Sequence, residues 1–220
     1  MHVAVGTSLA AIIPTAVASL RAHHARGAVD WDLVRSWCVP MLCAALLGSV
    51  AGSIANPAVL SLVFGVVALL VALKMFLPLD HLRLCERPPR GPAGAGIGAA
   101  IGFVSAIMGI GGGTIGVPVM TLAGLPIHRA VGTASVFGLV IGLPGTAGYL
   151  LSRPGIALPT LTIGYVSVLG VALIAPGSML TAPWGARLAH RLPKRALSVA
   201  FGCFLFLVAA RMLGRVWPAN

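Results

Sequence analysis

Long stretches without a Lys, Arg, Asp or Glu alternate along this chain with short basic gaps. The uncharged runs are Ser36 to Leu73, Gly91 to His128, Ala130 to Ser152, Pro154 to Ala186 and Ala196 to Ala210. A bilayer core about 30 Å thick is crossed by about 20 helical residues, so two of these runs are long enough to cross twice. The pattern predicts spans at Ala4 to Leu20, Trp37 to Ala55, Ala58 to Leu77, Ala95 to Met108, Thr114 to Ala123, Ala130 to Leu151, Thr160 to Ala182 and Ala196 to Arg211. Asn56-Pro57 divides the first long run, and the stretch GIGGGTIGVPV, residues 109–119, divides the second.

Composition agrees with this pattern. With 58% hydrophobic residues, 9% charged residues and a mean hydropathy of +1.01, the 220-residue chain is expected to be an all-α polytopic membrane bundle rather than a soluble domain. Its net charge of +11 sits in the gaps between apolar runs, which suits loops facing an anionic cytoplasmic leaflet. No soluble basic region is left to bind nucleic acid. Trp31, Trp37, Trp184 and Trp217 are expected at span ends as interfacial aromatics. Cys38, Cys43, Cys85 and Cys203 form no C-x-x-C pair and read as packing residues, and nothing resembling a signal peptide precedes the first span.

The chain also repeats itself. HVAVGTS (2–8) returns as HRAVGTAS (128–135), an offset of 126; LSLVFG (60–65) returns as LSVAFG (197–202) and ALKM (72–75) as AARM (209–212), offsets of 137. An internal duplication is therefore expected, with residues 1–78 as the first transmembrane repeat, 79–94 as a charged cytoplasmic linker and 95–220 as the second repeat. The counterpart of Gly111–Gly113 would fall before Met1, so this reading expects the first repeat to lack its N-terminal broken helix. If the glycine segment makes a re-entrant pair, twelve of the fifteen Lys and Arg share one side; a straight crossing would divide them ten to five. The sharper division favours the re-entrant pair, which makes the two repeats inverted relative to each other.

Three successive glycines cost a helix about 1 kcal/mol each against alanine, and Pro118 removes a donor five residues later. Irregular backbone at membrane depth is tolerated where it is buried in protein or lines a cavity. Gly111, Gly112, Gly113 and Thr114 could present the amides of a half-helix N-terminus to an anion, or could serve close helix packing. Gly132, Thr133 and Ser135, with Gly6, Thr7 and Ser8 as their first-repeat partners, place hydroxyls that could donate to an oxyanion or back-bond to a carbonyl in the preceding turn. Pro14, Pro118 and Pro144 are expected helix breaks. The acids Asp30, Asp32, Asp80 and Glu86 fall in predicted loops, and the six histidines, His23-His24 among them, in loops or at span ends. No buried catalytic relay, metal site or cofactor is therefore expected.

The segments GIGGGTIGVPVMTLAGLPIHRAVGTAS (109–135) and HVAVGTSLAAIIPTAVASLRAHHARGAVDW (2–31) resemble the sulfite exporter TauE/SafE family of membrane transporter proteins, over nearly the whole chain. The resemblance implies export or uptake of sulfite, sulfonates or related small organic anions. The expected function is a secondary transporter of such an anion in the cytoplasmic membrane, working by alternating access, with the anion and the lipid bilayer as its partners. An anion channel and a non-transporting membrane scaffold are the alternatives.

Overall fold

The computed structural model describes residues 1–77, 85, 87–152, 161–191 and 194–216. Its helices are α1 (His2–His24), α2 (Trp31–Ile54), α3 (Pro57–Phe76), α4 (Gly91–Met108), α5 (Gly112–Leu122), α6 (Ile127–Leu151), α7 (Val168–Arg191) and α8 (Lys194–Val216). Between α6 and α7 lies a two-stranded antiparallel hairpin, β1 (Thr162–Ile163) and β2 (Val166–Ser167). Among the described residues, five helices, α1, α2, α3, α4 and α6, are long and apolar enough to cross a membrane.

The helix boundaries follow local chemistry. Asn56 caps α3, its side chain accepting from the Ala58 amide at 2.9 Å, and Pro57 supplies a first helical position that needs no donor. Asp30 does the same for α2 through the Leu33 amide at 3.0 Å. Helix α4 stops at Gly109, whose φ of 72° is left-handed and whose Cα lies against Val5; a β-carbon there would come within 2.8 Å of the Val5 Cα.

Glycines also set how the helices pack. In one compact unit, formed by residues 2–54 and 83–179, α4 lies along α2 through Gly98 on Trp37, Gly102 on Met41, Gly48 on Phe103 and Gly52 beside Ile107. Numbers rise together, so these helices run parallel. Helix α6 also runs parallel to α2: Trp37 stacks on Phe137 at 5.9 Å, and Ser49 lies against Gly148. Helix α1 runs the other way, with Ala16 on Gly138, Ile13 on Gly142, Leu9 on Gly145 and Gly6 on Tyr149. A connection of four residues, 123–126, folds α5 back against α6, Gly112 meeting Phe137 and Ile141. Helices α4 and α5 therefore point in opposite directions, and the glycine segment makes a re-entrant hairpin.

The second unit joins α3, α8 and the end of α7. Gly65 of α3 abuts Leu213 and Gly202 of α8 abuts Phe76, so the two helices are antiparallel; Arg195 closes the C-terminus of α3 by donating to the Phe76 carbonyl at 3.0 Å. With the offset of 137, Gly65 matches Gly202 and Phe76 matches Leu213. Each helix thus supplies the glycine for the other's large side chain.

Several expectations change. Pro14, Pro118 and Pro144 do not break their helices; they lie inside α1, α5 and α6, and the break falls at Gly109–Gly111. A proline removes one amide bond, and the glycine-mediated contacts on both sides of Pro14 keep α1 packed along α6. Trp37 is not interfacial but fully buried, with its Nε1 donating to the Pro89 carbonyl at 3.0 Å, because α2 begins six residues earlier at Trp31. His23 and His24 belong to the last turn of α1. The seventh span begins at Val168 rather than Thr160, since residues 162–167 pair as a hairpin, and it continues to Arg191 through part of the expected 183–195 loop. Asp80, Glu86, Arg153 and Trp217 lie outside the described residues.

Candidate functional site

The Ser105 carbonyl accepts both the Gly109 amide and the Ile110 amide, the latter at 3.1 Å, and this closes α4. Two residues later Gly111, extended at φ −73° and ψ 162°, opens α5 without a side-chain cap. The first-turn amides of any helix lack partners within it, and here Thr114 reaches only the Gly111 carbonyl, at 3.4 Å. Helix α5 has 11 residues and spans about 16 Å, roughly half a bilayer core. Gly111 lies beside Ile12, the middle of α1, and Gly112 beside Phe137 and Ile141, the middle of α6. The positive end of a half-helix dipole is thereby placed at mid-length of two spanning helices.

The glycines of this turn have different surroundings. A β-carbon at 112 would come within 2.5 Å of the Phe137 Cβ, so that glycine serves helix contact. Gly111 and Gly113 have room, with nearest atoms at 3.5 Å on Ile12 and 4.0 Å on Ala134. Thr114 is half-buried. Four buried hydroxyls that the sequence reading passed over, Ser105 Oγ on α4, Thr146 Oγ1 and Tyr149 OH on α6 and Thr162 Oγ1 on β1, have no hydrogen-bond partner among the described residues. Ser105 could have been noticed one turn before the glycine break; the α6 hydroxyls carry no local signal.

The A-V-G-T residues are placed elsewhere. Thr133, wholly buried, accepts the Asp30 amide at 2.9 Å, and Gly132 gives way to the Ala28 carbonyl oxygen. Thr7 accepts the Ser167 amide at 2.9 Å, and a β-carbon at Gly6 would stand 2.6 Å from the Tyr165 carbonyl oxygen. Ser135 back-bonds to the Gly132 carbonyl at 2.6 Å, while Ser8 is half-buried on α1. Gly111–Thr114 and the two glycine–threonine pairs therefore make separate arrangements: the first faces the α1 and α6 midpoints, the others tie down helix starts.

Asp30 lies in a loop as expected, between α1 and α2, but it is buried there: it is 8% exposed, caps α2 and pairs with Arg129 at 3.1 Å. The D-x-x-L spacing before an apolar run was its legible signal. Asp32 stays on the surface, facing Arg90 at 3.6 Å and Arg35 at 3.9 Å. Among the described residues, no group of three His, Cys, Asp or Glu could hold a metal ion.

Comparison with known proteins extends these observations. The family model described as Sulfite exporter TauE/SafE matches residues 1–212. A probable membrane transporter protein of Haemophilus influenzae is 32% identical over 216 residues, covering 96% of this chain and 81% of its own length. Similar proteins of the same description occur in Bacillus subtilis, at 28% identity over 96% of this chain and 70% of the relative, and in Methanocaldococcus jannaschii, at 23% over 96% and 78%. No solved structure matches.

Proposed function

Because this chain belongs to the sulfite exporter TauE/SafE family of membrane transporters, we propose that it is a secondary carrier for a small sulfur-containing or organic anion, set in the cytoplasmic membrane and working by alternating access. The observation that carries this reading is the half-helix α5, whose uncapped N-terminus opens at mid-length of α1 and α6. Amides there stabilise an oxyanion through the helix dipole, without a buried cation that would hold it too tightly for release. Gly111, Gly113 and Thr114 form the amide side of the site, and Gly112 sets its distance from Phe137. The inverted arrangement is supported by the antiparallel run of α1 against α6 and of α3 against α8, each a pair of duplicated helices.

Counterflow in proteoliposomes tests the reading. With unlabelled sulfite or methanesulfonate inside, external labelled anion is expected to accumulate transiently and to saturate with concentration. Linear flux without counterflow would instead identify a channel, and no flux of either anion would remove this substrate class.

A further inference from the structure

The duplication does more than repeat helices; it exchanges contacts. Gly6 receives the Tyr165 carbonyl, Thr7 accepts from the Ser167 amide, and the Ser167 hydroxyl accepts from the Gly170 amide at 3.1 Å to cap α7. Gly132 receives the Ala28 carbonyl, Thr133 accepts from the Asp30 amide, and the Asp30 carboxylate accepts from the Leu33 amide to cap α2. Gly6 and Thr7 lie 126 residues before Gly132 and Thr133; Ala28, Asp30 and Leu33 lie 137 before Tyr165, Ser167 and Gly170. Both offsets are those of the sequence repeat. Each of these three contacts in one clasp therefore has its counterpart in the other, with the two copies exchanged.

Their position gives them a use. Since α1 and α6 are antiparallel, Thr7 near the start of α1 and Thr133 near the start of α6 lie at opposite ends of the pair, with the α5 N-terminus between them. We infer that the two clasps are the opposing gates of the transport cycle, one released as the other closes, an inference that rests on the carrier reading above. A passage to the mid-length site from either end requires separation of the contacts between copies at that end. The hydrogen bond that joins the copies in each clasp is one amide-to-threonine bond, whose groups water can satisfy on opening at about 1 kcal/mol, while the cap stays within its own helix.

The gates are unequal. Arg129 reinforces the Asp30 clasp with an ion pair at 3.1 Å, while its counterpart by the offset of 126 is Val3 and that of Asp30 is the neutral Ser167. The Tyr165 amide donates to the Tyr149 carbonyl at 2.9 Å just as the Ala28 amide donates to the His23 carbonyl at 3.0 Å, but the Ser167 clasp is carried on the β1–β2 hairpin and stacks Tyr165 on His2 at 5.0 Å. One end is thus closed by charge, the other by a short strap.

Thiol labelling of the full chain in liposomes tests the inference. On a background with Cys38, Cys43, Cys85 and Cys203 replaced by alanine, the buried positions Val29 and Val166 report the two ends through Val29→Cys and Val166→Cys. Arg129 is half-exposed, so loss of its pair is expected to raise N-ethylmaleimide labelling at position 29 by about threefold in Arg129→Ala, and to lower labelling at position 166 by a similar factor. Thr7→Val should produce the reverse, and Arg129→Lys and Thr7→Ser should restore the original rates. If Arg129→Ala fails to insert, Arg129→Gln takes its place. A change at the mutated end with the distant thiol unaffected, or no change at either, overturns the inference by making the clasps fixed braces. Labelling needs no substrate, so absence of sulfite flux would count against the carrier reading and leave this result to stand or fall alone.

Discussion

Gly112→Leu is expected to disrupt the fold rather than only block a ligand. The β-carbon alone would come within 2.5 Å of the Phe137 Cβ and 3.2 Å of the Phe137 carbonyl carbon, on the mid-length turn of α6 that also holds Ile141. Backbone and a fully buried ring cannot yield as a flexible chain end does. Overpacking at a tight site costs about 1–3 kcal/mol, and contact at this range places the variant at or above the upper figure. For a chain of 220 residues that corresponds to a fall in Tm of about 6–12 °C, readable by thermal unfolding in detergent. An unchanged Tm would mean that α5 does not rest on α6 at this point.

Gly113→Leu is expected to behave in the opposite way. An added β-carbon meets only the Ala134 Cβ, at 4.0 Å, and leucine is a better helix former than glycine. The variant should insert and keep its Tm. Its side chain would stand on the open side of the first turn of α5, where the proposed site would receive an anion. Loss of a partly buried helix-terminus interaction is worth up to about 2 kcal/mol, so the apparent KM for sulfite should rise by about thirtyfold. Wild-type transport by Gly113→Leu would remove the α5 terminus from the site. Adjacent glycines thus separate packing from binding, which the run of three could not do by itself.

Much of the fold was legible because bilayer-spanning helices announce themselves by length and charge. All eight predicted spans correspond to helices, and the break between α4 and α5 falls within the glycine stretch. What misled was residue type taken as geometry. Proline reads as a break, yet α1 and α6 run through Pro14 and Pro144 because neighbouring helices hold both sides. The start of α7 was misplaced because residues 160–167 carry no charge and continue the uncharged run into the helix, and only Gly164, left-handed in the structure, marks the turn of the hairpin. For the candidate site, the glycines gave the position of the half-helix, but which of them touches Phe137 depends on the rotation of α5 against α6. Thr7 and Thr133 stood out as a repeated pair without revealing their partners, since each accepts a backbone amide, and Ser167 and Asp30 share an N-cap role without sharing a residue type.

The central claim is that duplicated helices run in opposite directions around a mid-membrane half-helix, and sidedness tests it most directly. Single cysteines replacing Arg26, just beyond α1, and Ser152, just beyond α6, would be labelled with a membrane-impermeant maleimide on the cysteine-free background. Antiparallel α1 and α6 predict that Arg26→Cys reacts only from the cytoplasmic side, where most basic loops fall, and Ser152→Cys only from outside. Reaction of both from the same side would contradict the inverted arrangement, and with it the opposing gates on either side of α5.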